Sequence, residues 1–112
     1  VEFGFGNIIY PLSVICSGTK IKNFCVLTYL NILAHNVTIN SFSTLGSRTS
    51  VLNNASIGKE VFIGANVLIA ENISIEDYST VIMGSVVLNN VKKKQLAFGN
   101  PAKIIKNGWK SL

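Results

Sequence analysis

One histidine, His35, is all the imidazole in a chain of 112 residues. That scarcity excludes a zinc hydratase centre of three imidazoles, since single rings from three chains would meet only on a threefold axis. The two cysteines, Cys16 and Cys25, form neither a metal-type CxxC pair nor a disulfide framework. Two free thiols in a cytoplasmic protein are expected, with no metal. No apolar run approaches the roughly 20 residues of a membrane span, and no membrane partner is expected. The opening VEFGFGNIIYP has neither the basic region nor the cleavage site of a signal peptide. It also lacks an initiator Met, as a processed or excised piece would. Charged residues make up only 13% and apolar residues 48%, which suits one compact, β-rich domain and argues against disorder.

The formal net charge is +5, and much of the surplus sits late, at Lys92, Lys93, Lys94, Lys103, Lys106 and Lys110. A basic tail meets nucleic acid, a membrane surface or a small anionic ligand, or it simply keeps a face in solution. Nothing else in the chain points to nucleic acid, and none is expected as a partner.

What the chain has in abundance is a period. From Ile57 it reads IGKEVF, IGANVL, IAENIS, IEDYST, VIMGSV, VLNNVK. Carried backwards, the same frame puts Ile, Leu or Val at fourteen consecutive first places, from Ile9 to Val87. The fifth place is small or β-branched, as at Thr19, Cys25, Asn31, Val37, Ser43, Thr49 and Val61. Val61-Phe62-Ile63 therefore reads in, out, in, the alternation of a short strand. The residues between strands must turn, and glycine and asparagine crowd there. A strand and a corner in every hexad describe a triangular coil, with three hexads to the turn. Fourteen hexads make four to five such coils, a prism roughly 20 Å tall at strand spacing.

The three-hexad period has its own signature. Gly18, Asn36, Asn54, Asn72 and Asn90 form one corner column of residues that tolerate left-handed backbone. Phe24, Phe42, Glu60 and Tyr78 form another. The expected class is all-β, with coils over residues 1–92 and a short C-terminal tail, 93–112, packing back on them.

On these hexads, and on the closing FGNPAKII (Phe98 to Ile105), the chain resembles the hexapeptide-repeat acyltransferases, whose fold is the left-handed parallel β-helix. The resemblance runs from residue 9 to about 105. It is closest to the sialic acid O-acetyltransferase group, which includes N-acetyltransferases of nucleotide-linked amino sugars. Members of that group usually carry an N-terminal nucleotide-sugar-binding domain. These residues hold none, and much of the acceptor site is expected to be missing with it.

The resemblance implies a homotrimer and direct transfer of acetyl from acetyl-CoA to a sugar amine or hydroxyl. His35, third in LAHNVT, stands at a corner and points outward. A solvated surface imidazole is one reading; the resemblance implies the general base that takes the acceptor's proton. Asn53, one coil on, offers a backbone N–H to the developing oxyanion where the group usually has glycine. Asn36 stands where the group usually has Asp or Glu, and either orients the imidazole or serves only as a turn residue. Thr44, Ala65 and Met83 match coenzyme contacts in the cleft between prisms, and Gly84 permits close approach. Lys92, Lys93, Lys94 or Lys103 would meet the coenzyme phosphates, or are merely solvated. Outward Phe24, Phe42, Phe62 and Tyr78 favour an oligomer, because they would otherwise leave apolar surface in water. The competing reading is a weak or inactive coil acting as a scaffold or trimerisation module. An ice-binding prism would need an outward threonine ladder, which is lacking.

Overall fold

A computed structural model describes residues 1–109; Lys110, last of the basic tail residues, lies outside them. Fifteen two-residue strands follow one another, one to each hexad. They are β1 (Glu2–Phe3), β2 (Ile8–Ile9), β3 (Val14–Ile15), β4 (Lys20–Ile21), β5 (Val26–Leu27), β6 (Ile32–Leu33), β7 (Thr38–Ile39) and β8 (Thr44–Leu45). Then come β9 (Ser50–Val51), β10 (Ser56–Ile57), β11 (Phe62–Ile63), β12 (Leu68–Ile69), β13 (Ser74–Ile75), β14 (Thr80–Val81) and β15 (Val86–Val87). Every third strand stacks in parallel, which makes three sheets. Sheet A is β1-β4-β7-β10-β13, sheet C is β3-β6-β9-β12-β15, and sheet B begins β2-β5-β8-β11-β14. Partners lie three hexads apart throughout, as in Ile39 with Ile57 and Ile57 with Ile75. The chain is a left-handed parallel β-helix of about five turns, with no helix among the described residues.

The first-place aliphatics from Ile21 to Val87 are buried and form one core. Ile9 is 36% exposed, because the first coil has no complete coil beneath it. The fifth-place residues also point inward, and the polar ones have a task beyond being small. Thr49 Oγ1 donates to Gly64 O at 2.7 Å and accepts from Val67 N at 3.3 Å, both one coil on. Ser43 does the same for Gly58 O and Val61 N, and Thr19 for Ala34 O and Val37 N. Each buried hydroxyl thus satisfies two corner groups that no strand partner reaches. Asn31 is less complete: Nδ2 reaches Gly46 O at 2.7 Å, while Oδ1 is the one buried side-chain nitrogen or oxygen without a hydrogen-bond partner among the described residues.

At every corner up to Gly84 the fourth-place residue takes left-handed φ, and from Phe24 on its N–H donates to a carbonyl one coil earlier. Asn36 (φ 58°), Asn54 (φ 65°) and Asn72 (φ 63°) do so as their type suggests. Leu12, Phe24, Leu30, Phe42, Arg48 and Tyr78 take it as well, although a β-carbon makes this conformation unfavourable. From Phe24 on, the ladder bond, such as Phe42 N to Asn23 O at 2.9 Å, holds them there.

The last coil departs from the period. Val91 bridges to Ile75 and Leu96 pairs with Thr80, so this coil is two residues short. Asn90 therefore leaves the left-handed column in which the three-hexad count had placed it. Its Oδ1 instead accepts from Ser74 N at 2.8 Å. Beyond this corner, β16 (Leu96–Gly99) stacks on β14, and β17 (Ala102–Lys106) returns antiparallel to β16. The Gly-Asn-Pro-Ala segment is the hairpin turn, with a cis Asn100–Pro101 bond. Sheet B thus reaches seven strands, in keeping with a long dimension of 33 Å against 22 and 21 Å across.

The bracketing role of the buried hydroxyls predicts that Thr49→Val, which preserves shape, lowers unfolding stability by about 1–3 kcal/mol. Urea titration followed by far-UV circular dichroism measures this, and an unchanged midpoint would refute the role.

Candidate functional site

Sheets C and A meet at a corner whose third and fourth places are Ser17-Gly18, His35-Asn36, Asn53-Asn54 and Glu71-Asn72. His35 is exposed there. Both of its backbone groups are tied to the coil above. Its N–H donates to Asn53 Oδ1 at 2.9 Å, and its carbonyl accepts from Asn54 N at 3.0 Å. The imidazole Nδ1 lies 3.0 Å from Ser17 Oγ, one coil below. Nε2 has no partner among the described residues.

Asn53 joins the site as the rise of one coil requires. Its side chain caps the His35 amide and its carbonyl takes Asn72 N, while its own N–H meets no acceptor among the described residues. Asn36 leans on the same coil below but makes no hydrogen bond to the ring. A β-carbon at Gly18 would collide with Asn36 Oδ1, so that side chain rests on the glycine below. The ring's contact is with Ser17. Sequence reasoning passed over Ser17; the signal was the same step of three hexads, counted downward from His35.

The expected coenzyme residues gather elsewhere. Ala65 and Met83-Gly84 occupy consecutive coils of the corner between sheets B and C. The backbones are close: a β-carbon at Gly64 would lie 2.6 Å from Met83 N. Gly99 N–H donates to Ser85 Oγ at 3.1 Å, which seats the hairpin turn over this corner. Lys103 leaves it along β17, exposed. Thr44 lies on the outer face of sheet B beneath Phe62. Lys93 and Lys94 belong to the third corner, where Lys94 Nζ sits 5.9 Å from the Tyr78 ring and Lys59 Nζ sits 5.5 Å from it. One prism thus carries two candidate half-sites on different corners: His35 with Asn53, and Ala65 with Met83 and Gly84, with Lys103 beyond them on β17.

Cys25 is buried, its Sγ 3.1 Å from Asn40 O, and burial pushes the thiol pKa up, away from a nucleophilic thiolate. A shallow depression of about 360 Å³ opens over sheet A, lined by Asn40, Ser56, Ser74, Glu76, Asp77 and Lys93. It holds none of the residues placed at the two half-sites.

The outer surfaces differ sharply in chemistry. Outward along sheet C run Val14, Ile32, Ser50, Leu68 and Val86, beside Cys16, Ala34, Leu52, Ala70 and Leu88. Outward along sheet A run Glu2, Lys20, Thr38, Ser56 and Ser74, with Glu2 and Lys20 paired at 3.6 Å. One face is largely apolar from end to end; the other is made for water.

No family model matches the chain. Its shape is nonetheless well represented among solved structures. The galactoside acetyltransferase in complex with coenzyme A superposes with a TM-score of 0.91 at 19% identity, over 96% of this chain and 64% of that one. A hexapeptide-repeat acetyltransferase of Vibrio cholerae with acetyl-coenzyme A gives 0.83 at 19% identity, over 95% and 70%. The acetyltransferase domain of PglB from Neisseria gonorrhoeae gives 0.78 at 18% identity, over 92% and 57%. The fold is that of the hexapeptide-repeat acetyltransferases. The chain spans little more than half the length of several of these neighbours, 57% of the PglB domain and 54% of the Caulobacter crescentus perosamine N-acetyltransferase.

Proposed function

We propose that the chain forms the catalytic coil of an acetyltransferase that moves an acetyl group from acetyl-CoA to an amine or hydroxyl of a sugar. The observation that carries this is the outward imidazole of His35, one coil below an Asn53 N–H that no acceptor among the described residues takes, on a fold shared with acetyltransferases solved with coenzyme A. His35 Nε2 takes the proton of the attacking amine or hydroxyl as the new bond to the thioester carbonyl forms. The carbonyl oxygen gathers charge, and the Asn53 N–H meets it. Collapse of the tetrahedral species expels coenzyme A thiolate. His35 returns its proton to the departing sulfur, and no acyl-enzyme is needed. Cys25, buried and bonded inward, has no place in the chemistry. Sugar or amino-sugar acceptors agree with a neighbour solved with GDP-perosamine.

The working unit in this reading is a homotrimer. Two features support it: the apolar outer face of sheet C, and the two half-sites on different corners. An apolar face of this size is costly in water and gains by covering. A second copy laid against it brings the Ala65, Met83 and Gly84 corner of one prism toward the His35 corner of the next. Coenzyme A then lies in the cleft, with Thr44 beside it and Lys103 set for its phosphates.

The test is release of free thiol from acetyl-CoA in the presence of a panel of nucleotide-linked amino sugars. His35→Ala is expected to lower turnover by roughly 100-fold or more with the fold intact. Acetyl-CoA should also raise the melting temperature of the wild type. No thiol release and no thermal shift would leave the coil as a scaffold.

Assembly is tested separately. Wild type should sediment as a trimer and Leu68→Glu, on the apolar face, as a folded monomer. A monomeric wild type, or a variant that still sediments as a trimer, would contradict the packing.

A further inference from the structure

Ser17 stands one coil below His35 at the same corner, and its Oγ is 3.0 Å from Nδ1. We propose that Ser17 is the positioning residue for the histidine: its hydroxyl accepts the Nδ1 proton and leaves the Nε2 lone pair facing outward. The inference rests on His35 as the base, but its main readout needs no turnover.

Three observations carry it. Both residues are fixed by main-chain bonds: Asn36 N to Ser17 O at 3.0 Å, and His35 N to Asn53 Oδ1 at 2.9 Å. The ring has no other partner among the described residues, and Ser17 Oγ has none besides the ring. Asn36, the neighbour that would otherwise hold the imidazole, is laid against Gly18.

The direction of the bond follows from proton accounting. A neutral imidazole carries one N–H, and a hydroxyl either donates or accepts. If Ser17 donates to Nδ1, the proton sits on Nε2 and the outward nitrogen is no base. If Nδ1–H donates to Oγ, Nε2 is free, and the hydroxyl gives its own proton to water. Once Nε2 has taken the acceptor's proton, both ring nitrogens are donors. Only the accepting Ser17 then keeps its bond, with no rearrangement during the reaction. A serine one coil away thus does part of the work that a neighbouring carboxylate would do.

Because the chain has one histidine, the long-range ¹H–¹⁵N spectrum of the labelled full chain shows a single imidazole. At a pH where the ring is neutral, wild type should show a protonated Nδ1 and an unprotonated Nε2. Ser17→Ala should move the signals toward the Nε2–H form that free histidine favours, and Ser17→Thr should keep the wild-type pattern. Turnover should fall roughly tenfold or more in Ser17→Ala and recover in Ser17→Thr. A wild-type ring protonated on Nε2, or a spectrum unchanged in Ser17→Ala, would overturn the proposal. If the spectra behave as expected while His35→Ala remains active, the hold of Ser17 on the ring stands and the reading of His35 as base fails.

Discussion

The backbone hydrogen bond between consecutive coils is the constraint on which the structure rests. Strand N–H groups such as Thr38 N reach a carbonyl on the coil above, here Ala55 O, and from Phe24 to Gly84 the fourth-place corner N–H reaches back to the coil below, as Asn36 N does to Ser17 O. Together these fix a rise of one coil for every three hexads, and every side chain inherits a column from it. The core is a stack of aliphatics because each lies above its counterpart one coil below. Buried hydroxyls reach the corner above them because the corner is always at the same height. Each coil contacts only its neighbours and repeats one solution, so stability builds coil by coil.

The candidate site follows from the same rise. Ser17, His35 and Asn53 are remote in sequence and share no motif, yet they are consecutive rungs of one corner. The side chain that holds the ring, the ring itself and the free amide arrive together because the coil returns to the same point. The three faces differ in surface: sheet A is polar, sheet C largely apolar, and sheet B carries the C-terminal hairpin.

The in-out pattern of the hexads and the three-sided coil were legible in the sequence, because the first place admits only Ile, Leu or Val and any other phase breaks at once. His35 and Asn53 could be paired by counting three hexads. Other features were hidden for physical reasons. The two-residue shortening near Asn90 leaves no trace, because Val91 reads as inward in either frame. Leu30, Phe42 and Arg48 do not look like left-handed residues; the ladder imposes that conformation against their preference. The inward hydroxyls read as merely small, since their partners are backbone atoms that no residue type reveals. Ser17 was hidden for a related reason: it stands 18 residues before the histidine, and no residue type marks the hydroxyl that the coil brings beneath the ring.

The central claim is that columns spaced by three hexads, and not single hexads alone, determine both the packing and the site. Removing residues 56–73, one whole coil, tests it most directly, because Ser74 would then follow Ala55 in the same column of the same sheet. Deleting 56–67 instead keeps the hexad phase but shifts every later residue to another face. The account predicts cooperative thermal unfolding and an unchanged His35 imidazole spectrum for the whole-coil deletion, with clear loss of stability in the two-hexad one. A non-cooperative whole-coil deletion, or two deletions of equal stability, would contradict it.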